Sequence, residues 1–553
     1  MPAHLSAHTT PYALPAARAV APAPERTAYL VASGDLRPAA NVAGWATQKA
    51  MEETITAAFG ELGWQVLRAH PFDEAKGHGF IDNQRLGMDV FADIPGAAPV
   101  VVAESVWQYS HHVLAGLRKH RGPVLTIANF AGQWPGLVGL LNLNAGLTKM
   151  NRDYSTVWSV DFTDPWFRER LREWVETGAI RHDASHVRDL PDLPAGPETE
   201  LGVALAEQLL AEQAVIGVFD EGCMGMYNAI IDDELLNPLG IYKERLSQSA
   251  LYAEMQKVDP AEAEAVLQWL RDAGMTFRTG TDDATELTER QLLQQAAMYV
   301  AVLRISDDFR LDAVGIQYQQ GLKDLTAASD LVEGLLNNVE RPPVTSRDGA
   351  RVLWEGRSLP HFNEVDEGVA VDALVTTRIW EAMGLDPANT LHDVRWGEEF
   401  DGRFVWVFEI SGSVPPSHLE GGYAGAVGMR QGPVYFPAGG STIQGVSRAG
   451  EIVWSRLFIM DGALHLDLGR GSAVSLPAEE TDRRLQATNP EWPIMHAVLP
   501  GVTRDQFMAR HRANHIQVVY APDAPTADKA LIAKAAMFDR LGVVVHLVGD
   551  VSL

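Results

Sequence analysis

Residues 99–128 read PVVVAESVWQYSHHVLAGLRKHRGPVLTIA. Pro99 to Glu104 and Pro123 to Ala128 are continuous apolar runs of strand length, each followed by helix-like sequence. A strand apolar on both faces belongs in a parallel sheet covered by helices. The same step is found outward from this stretch. Thr27 to Ser33 (TAYLVAS) reads as a short buried strand, and Ala46 to Trp64 then carries apolar residues at helical spacing. The amphipathic segment Asp164 to Gly178 closes this unit. Asp189 to Pro197 (DLPDLPAGP) punctuates the chain as a linker or long loop would. Beyond it come a helix around Glu198 to Glu212, a strand Ala214 to Phe219, a Gly-containing loop Asp220 to Gly225, a helix Thr288 to Leu303 and a strand Leu311 to Ile316. Strands alternating with helices imply a parallel sheet with both faces covered. After about Leu385, alternating segments such as Arg403 to Ile410, Ile452 to Ile459 and Ala463 to Leu468 read as antiparallel strands. A last strand, helix and strand run from Ile516 to Val548. The expectation is an α/β protein: two doubly wound parallel-sheet domains, 27–188 and 189–385, a β-rich C-terminal domain, 386–553, and a disordered tail, 1–26.

A chain of 553 residues exceeds one hydrophobic core, since single cores stop growing near about 250–300 residues. Its 45 Lys and Arg against 72 Asp and Glu give a formal charge of −27, which repels a phosphate backbone and an anionic membrane. Nucleic acid and membrane are therefore excluded as expected partners, and a neutral small molecule is favoured. With Cys223 as the one cysteine, neither an intramolecular disulfide nor a cysteine zinc site can form. A cytoplasmic setting fits, as does an opening segment without an apolar signal core. No apolar run approaches the roughly 18 residues of a membrane span.

Three segments offer oxygen and nitrogen ligands near strand ends: Asn363-Glu364-Val365-Asp366, His392-Asp393-Val394-Arg395-Trp396 and Ala513-Asn514-His515. Each also has an ordinary structural reading. Glu364 could be a charge at a helix start, Asp393 a turn residue or the ion-pair partner of Arg395, and His515 a hydrogen-bonded core histidine. His511, four residues before His515, lacks the glutamate of a zinc-protease helix and reads as structural. Cys223 has no base beside it and reads as pocket lining or a small buried hydrophobe. His111-His112 reads as surface, and Gly432 to Gly440 lacks a phosphate-loop pattern.

In their order along the chain these segments resemble the L-fucose isomerase family. Asn363 to Asp366 with the helix near Val375 to Trp380 is similar to the family's Thr-Glu-x-Asp stretch, Leu391 to Trp396 (LHDVRW) to its Asp-Val-Arg segment, and Arg512 to Tyr520 (RANHIQVVY) to its Ala-Asn-His stretch. Leu36-Arg37-Pro38, Val106-Trp107-Gln108-Tyr109, Gly222-Cys223-Met224-Gly225, Tyr318-Gln319-Gln320 and Asn489 to Pro493 resemble further family motifs. Departures exist. The interval from Glu364 to Asp393 is a few residues longer than the family's, and Arg512 and Ile516 stand where the family tends to have glycine.

The resemblance implies an aldose–ketose isomerase acting on a deoxyhexose or pentose through a cis-enediol. Glu364, Asp393 and His515 would hold Mn²⁺, with Mg²⁺ also suited, and the two carboxylates would serve catalysis. Arg37, Trp107, Met224, Gln319, Trp492 and Asn514 would contact the sugar, with Trp107 on a loop lent to a neighbouring subunit of a homo-oligomer, a hexamer in that family. Ligation by two oxygens and an imidazole suits Mn²⁺ or Mg²⁺ over softer ions. Two other readings of the same residues remain open here: a non-catalytic sugar-binding protein, and a different metal enzyme such as an epimerase or hydrolase.

Overall fold

The computed structural model describes residues 13, 14 and 20–553, the side chain of Cys223 excepted. The tail expected over 1–26 lies mostly outside these residues, and so does the reading of Cys223 as pocket lining. The chain is mixed α/β, with two parallel sheets and a separate mixed sheet late in the sequence.

The first sheet holds β1 (Thr27–Val31), β2 (Gln65–Arg68), β3 (Val100–Glu104), β4 (Val124–Asn129) and β5 (Ser155–Ser159), all parallel in the order β2-β1-β3-β4-β5. Between and after them run α1 (Pro38–Glu61), α2 (Gln84–Asp93), α3 (His111–Lys119), α4 (Gly136–Lys149) and α5 (Pro165–Thr177). The pleat explains the apolar runs. Leu30, Val101, Ala103, Leu125 and Ile127 pack with Ile55, Phe59, Leu171 and Trp174 of α1 and α5. Val31, Val100, Val102 and Val124 pack with Phe91, Leu117 and Leu147 of α2, α3 and α4. α5 has the boundaries its sequence implies, with the Asp164 carboxylate accepting from Phe167 N–H and Gly178 ending it at φ 77°. α1 begins earlier than the spacing from Ala46 implies, because Pro38 occupies its first turn, where proline's fixed φ is favourable. His112 corrects a surface reading: it is buried, stacked on Tyr109, with Nδ1 3.2 Å from the Ile81 carbonyl.

The connector contributes β6 (Val187–Asp189), which pairs antiparallel with the last strand of the molecule. The second sheet contains β7 (Ala214–Phe219), β8 (Ile241–Leu246) and, past the short β9 (Thr276–Phe277), β10 (Ala313–Ile316), in the order β10-β7-β8. Its helices are α6 (Pro197–Glu212), α7 (Asp233–Leu236), α8 (Gln248–Met255), α9 (Pro260–Asp272), α10 (Glu289–Phe309), α11 (Asp330–Asn337) and α12 (Glu367–Ala382).

The late sheet comprises β11 (Asn389–Phe400), β12 (Arg403–Glu409), β14 (Gly450–Met460), β15 (Ala463–Ala473), β16 (Ile494–Val498), β17 (His515–Ala521) and β18 (Val544–Val548), β13 (Val427–Gly428) pairing instead with β9. Helices α13 (Ala478–Gln486), α14 (Arg504–Arg510) and α15 (Ala524–Arg540) intervene. The antiparallel expectation holds for most pairs, but β15 and β18 run parallel. Because β14 pairs with both β17 and β15, the six strands β14-β17-β11-β12-β16-β15 close on themselves. Among the described residues no helix is long and apolar enough to cross a membrane.

The second sheet meets the late one across helices. α12 and α15 share one apolar cluster with β7, β14 and β15, in which Val371, Val375, Leu531, Val218, Leu457 and Leu466 are buried. α6 lies against α15 so closely that a methyl group on Gly202 would strike the Ala533 backbone oxygen. We expect Gly202→Ala to destabilise the protein by about 1–3 kcal/mol through overpacking. Chemical denaturation would show it as a lower midpoint with an unchanged slope.

Candidate functional site

Strand register makes neighbours of two residues far apart in sequence. β11 and β17 are antiparallel with Asp393 directly opposite His515, so both side chains leave one face with Cβ atoms about 4.5–5.5 Å apart. Asp393 is thus a mid-strand residue, not a turn residue. Arg395 faces Glu409 at 3.4 Å as its ion-pair partner.

Glu364 comes from the second unit, on a single 3₁₀ turn, Asn363–Val365, just before α12. Glu364 (φ 58°) and Val365 (φ 54°) both adopt left-handed backbone, which costs a non-glycine residue about 1–3 kcal/mol and gathers at functional sites. Glu364 does not sit in the first turn of α12, where Glu367 is buried with Lys243 at 2.7 Å. Asp366 caps that helix, accepting from Val369 N–H at 3.2 Å.

The three groups converge. His515 Nε2 lies 3.4 Å from Glu364 Oε2 and 3.5 Å from Asp393 Oδ1, too long for good hydrogen bonds. His515 Nε2 and Asp393 Oδ1 are both buried without a hydrogen-bond partner. The other ring nitrogen, Nδ1, is 2.8 Å from Asp366 Oδ2, which accepts from Arg456 Nη1 at 2.5 Å. This carboxylate fixes the ring and turns Nε2 toward the two acids, the arrangement by which proteins orient ligating histidines. The core-histidine reading of His515 accounts for one nitrogen and leaves the other pointing at Glu364 and Asp393.

The electrostatics are those of crowded buried charge. Burial is the largest influence on Asp393 and, with the Glu364 charge, pushes its carboxyl up to about 6 against the pull of His515 and Arg395. Burial disfavours imidazolium at His515, but Asp366, Glu364 and Asp393 outweigh it and raise that group to about 9. Burial also opposes ionisation of Asp366, yet Arg456 and His515 hold it well below the usual carboxylate range.

Glu364 and Asp393 border a cavity of about 220 Å³ lined also by Arg37, Trp107, Met224, Gln319 and Trp492, among others, with His515 buried behind the two carboxylates and outside the lining. Such a volume has room for a small-molecule ligand. Its position follows from topology. In parallel sheets, ligands sit beyond the carboxyl ends of strands where the strand order reverses. Arg37 and Trp107 follow β1 and β3, between which the order of the first sheet reverses, while Met224 and Gln319 follow β7 and β10 of the second.

Arg37 is buried and fixed by Asp35, with Nε–Oδ1 at 2.8 Å and Nη2–Oδ2 at 2.6 Å, while Nη1 donates to Gln319 Oε1 at 2.7 Å. Its guanidinium lies 4.5 Å from the Tyr435 ring centre. Trp107 lines the cavity together with Met224. Its loop docks on the Met224 loop, where Ser110 Oγ donates to the Gly225 carbonyl at 2.7 Å. A side chain at Gly225 (φ 80°) would collide with Tyr109. Trp492 donates through Nε1 to Gln431 Oε1 at 2.8 Å. Asn514 is not part of the lining; it is buried beside Met226, whose sulfur is 3.2 Å from Nδ2.

Sequence reasoning missed several participants. Asp366 stands within the segment already singled out, and its place just ahead of a helix was the available signal. Ser411, whose Oγ donates to Glu364 Oε1 at 3.1 Å, and Gln431 and Tyr435 on the cavity wall carried no signal in the sequence. His511 is structural as expected, with Nε2 2.9 Å from the His515 carbonyl and its ring stacked on Phe507.

Among the described residues no group of three or more His, Cys, Asp and Glu side chains already stands in ion-holding geometry. The donors at Glu364, Asp393 and His515 nevertheless fit a hard divalent ion in chemistry. Both carboxylates lie within 3.5 Å of His515 Nε2, two of the three groups carry a buried unpartnered atom, and a carboxylate backs the imidazole. Compared with known proteins, the chain matches no family model and no curated sequence.

Proposed function

We propose that the chain is a metal-dependent aldose–ketose isomerase of the L-fucose isomerase kind, acting on a deoxyhexose or pentose. The observation that carries this reading is the convergence of Glu364 and Asp393 on His515 Nε2, with the two carboxylates on the wall of a small-molecule cavity. The two doubly wound domains, the β-rich third, a cytoplasmic location and a hexameric assembly belong to the same reading. Glu364, Asp393 and His515 would hold Mn²⁺ or Mg²⁺. When bound, such an ion supplies a Lewis acid for the sugar carbonyl, worth several kcal/mol to a developing negative charge.

The chain's own residues do the rest. One carboxylate of the pair takes the proton from C2 of the open-chain aldose, giving a cis-enediol, and returns it to C1. The other handles the proton that moves between the O1 and O2 oxygens. Acid–base groups so placed accelerate proton transfer by about 10²–10⁴-fold. Arg37, held rigid by Asp35, and Gln319 offer donors to sugar hydroxyls. Trp107 and Trp492 give apolar walls that receive the C–H face of the sugar and keep water out.

The test is a screen of aldopentoses and deoxyhexoses for ketose formation with added Mn²⁺. EDTA is expected to abolish conversion and Mn²⁺ in excess to restore it. Conversion indifferent to chelator, or no ketose from any sugar in the panel, ends this reading. Sugar binding without ketose would return the protein to the class of sugar-binding proteins. Deuterium from solvent entering C2 without ketose would point to an epimerase.

A further inference from the structure

The turn that carries Glu364 is held at both ends. After it, Asp366 is tied to Arg456 and to His515. Before it, the chain runs beside β10, with Val314 N–H donating to the Pro360 carbonyl at 2.9 Å and Phe362 N–H to the Val314 carbonyl at 3.0 Å. α11 holds the same segment through side chains. Asn337 donates from Nδ2 to the His361 carbonyl at 3.1 Å and accepts from His361 N–H at 2.7 Å. Glu333, one turn earlier on the same face of the helix, accepts from Asn363 Nδ2 at its Oε2 and from Ser329 Oγ at its Oε1. Glu333, Asn337 and Asn363 are all buried, and Glu333 is not part of the cavity lining.

The bonds to β10 end at Phe362, and the Asn363 amide carries the hold one residue further, next to Glu364. Glu364 and Val365 stand in left-handed backbone, a region that side chains disfavour. Such a conformation persists only while its surroundings over-determine it. Released at Asn363, the turn is free to relax toward right-handed backbone, and that relaxation swings the Glu364 carboxylate away from His515 Nε2.

We propose that Glu333 is a positioning residue: by holding Asn363 it fixes the turn that aims Glu364 at His515. Its consequence for Mn²⁺ rests on the isomerase reading; its hold on the turn does not.

Glu333→Met, Asn363→Leu, the double variant and Glu333→Gln are compared by metal-free crystal structures and by calorimetric Mn²⁺ affinity. Methionine keeps the length of the side chain and removes the acceptor. Glu333→Met is expected to move the Glu364 carboxylate out of its 3.4 Å contact with His515 Nε2 while α11 and β10 stay in place. Mn²⁺ affinity should fall about ten- to hundredfold, as it does when a group that orients a ligand is removed. The double variant should lose no more than either single one, because both residues act through one bond. Glu333→Gln should match wild type, since its carbonyl can accept from Asn363 and its amide can donate to Ser329. An uncharged replacement suits the position, where burial and then Asp330 push the carboxyl well above the usual range.

An unmoved Glu364 in the Glu333→Met crystals overturns the proposal. So do Mn²⁺ losses that add in the double variant, or a Glu333→Gln protein as weak as Glu333→Met. Should Glu333→Met fail to fold, Asn363→Leu breaks the same bond from its other end, and an unmoved Glu364 there is equally fatal. A wild-type protein that takes up no Mn²⁺ removes the isomerase reading, and the metal-free crystals then uphold or overturn the role of Glu333 by themselves.

Discussion

Exchange of Glu364 for Gln, or of Asp393 for Asn, is expected to leave a folded protein whose ketose formation falls by about 10³-fold or more. Each change keeps shape and removes one charge, so on the proposed isomerase reading it would withdraw an ion ligand and a proton carrier together. The Asp393 variant also carries a stability signature that separates chemistry from damage. In the ion-free protein burial raises this carboxyl from its ordinary value to about 6. The folded chain then retains a proton that the unfolded chain releases, so the group's contribution is present below the ordinary carboxylate value and is lost as pH rises toward about 6. Asp393→Asn cannot lose a proton there. Its stability is expected to stay flatter than that of wild type from pH 4 to 7, measured by urea denaturation with chelator present. Near-normal turnover by either variant would remove these carboxylates from the mechanism.

Arg456→Leu is the substitution expected to harm the fold most. The Arg456 and Asp366 side chains are 1% and 0% exposed with 2.5 Å between Nη1 and Oδ2. Removing one partner of a buried pair typically costs about 3–5 kcal/mol, because the other charge is left alone in a poor solvent. Asp366 is depressed in the folded protein despite burial, chiefly by Arg456 and His515. Its contribution is therefore complete above the ordinary carboxylate value and is lost as pH falls through the lower folded value. Without Arg456 that loss should begin at higher pH. Adding Asp366→Asn to Arg456→Leu is expected to recover part of the stability at neutral pH without restoring turnover, since the ring of His515 would lose its charged support. Equal stability of Arg456→Leu and wild type across pH 4–8 would show that the pair is not needed.

What the sequence revealed depended on how local the cause was. β7 begins and ends where its apolar run does, Ala214 to Phe219, because burial on both faces imposes composition on the strand itself. The start of α1 was misplaced because small and polar residues near Pro38 carry little periodicity. The burial of His112 has no sequence signal because it comes from Ile81 and Tyr109, which no spacing rule connects to it. The site itself could not be read from spacing. Asp393 and His515 meet only through the register of β11 with β17, and Glu364 joins them through a turn whose strained backbone leaves no mark in composition. Resemblance supplied those positions; it could not supply Ser411, Gln431 or Tyr435, which reach the site from loops of the late part of the chain.

The connector strand β6 lies along β18, the strand that leaves the closed ring of the late sheet through β15. Backbone groups on the outer edge of β18 would otherwise face solvent and invite pairing with another chain. A fragment beginning at residue 191 would keep every strand of the ring yet lack this cover. Such a fragment should self-associate, and a peptide spanning 185–190 supplied in trans should slow that association.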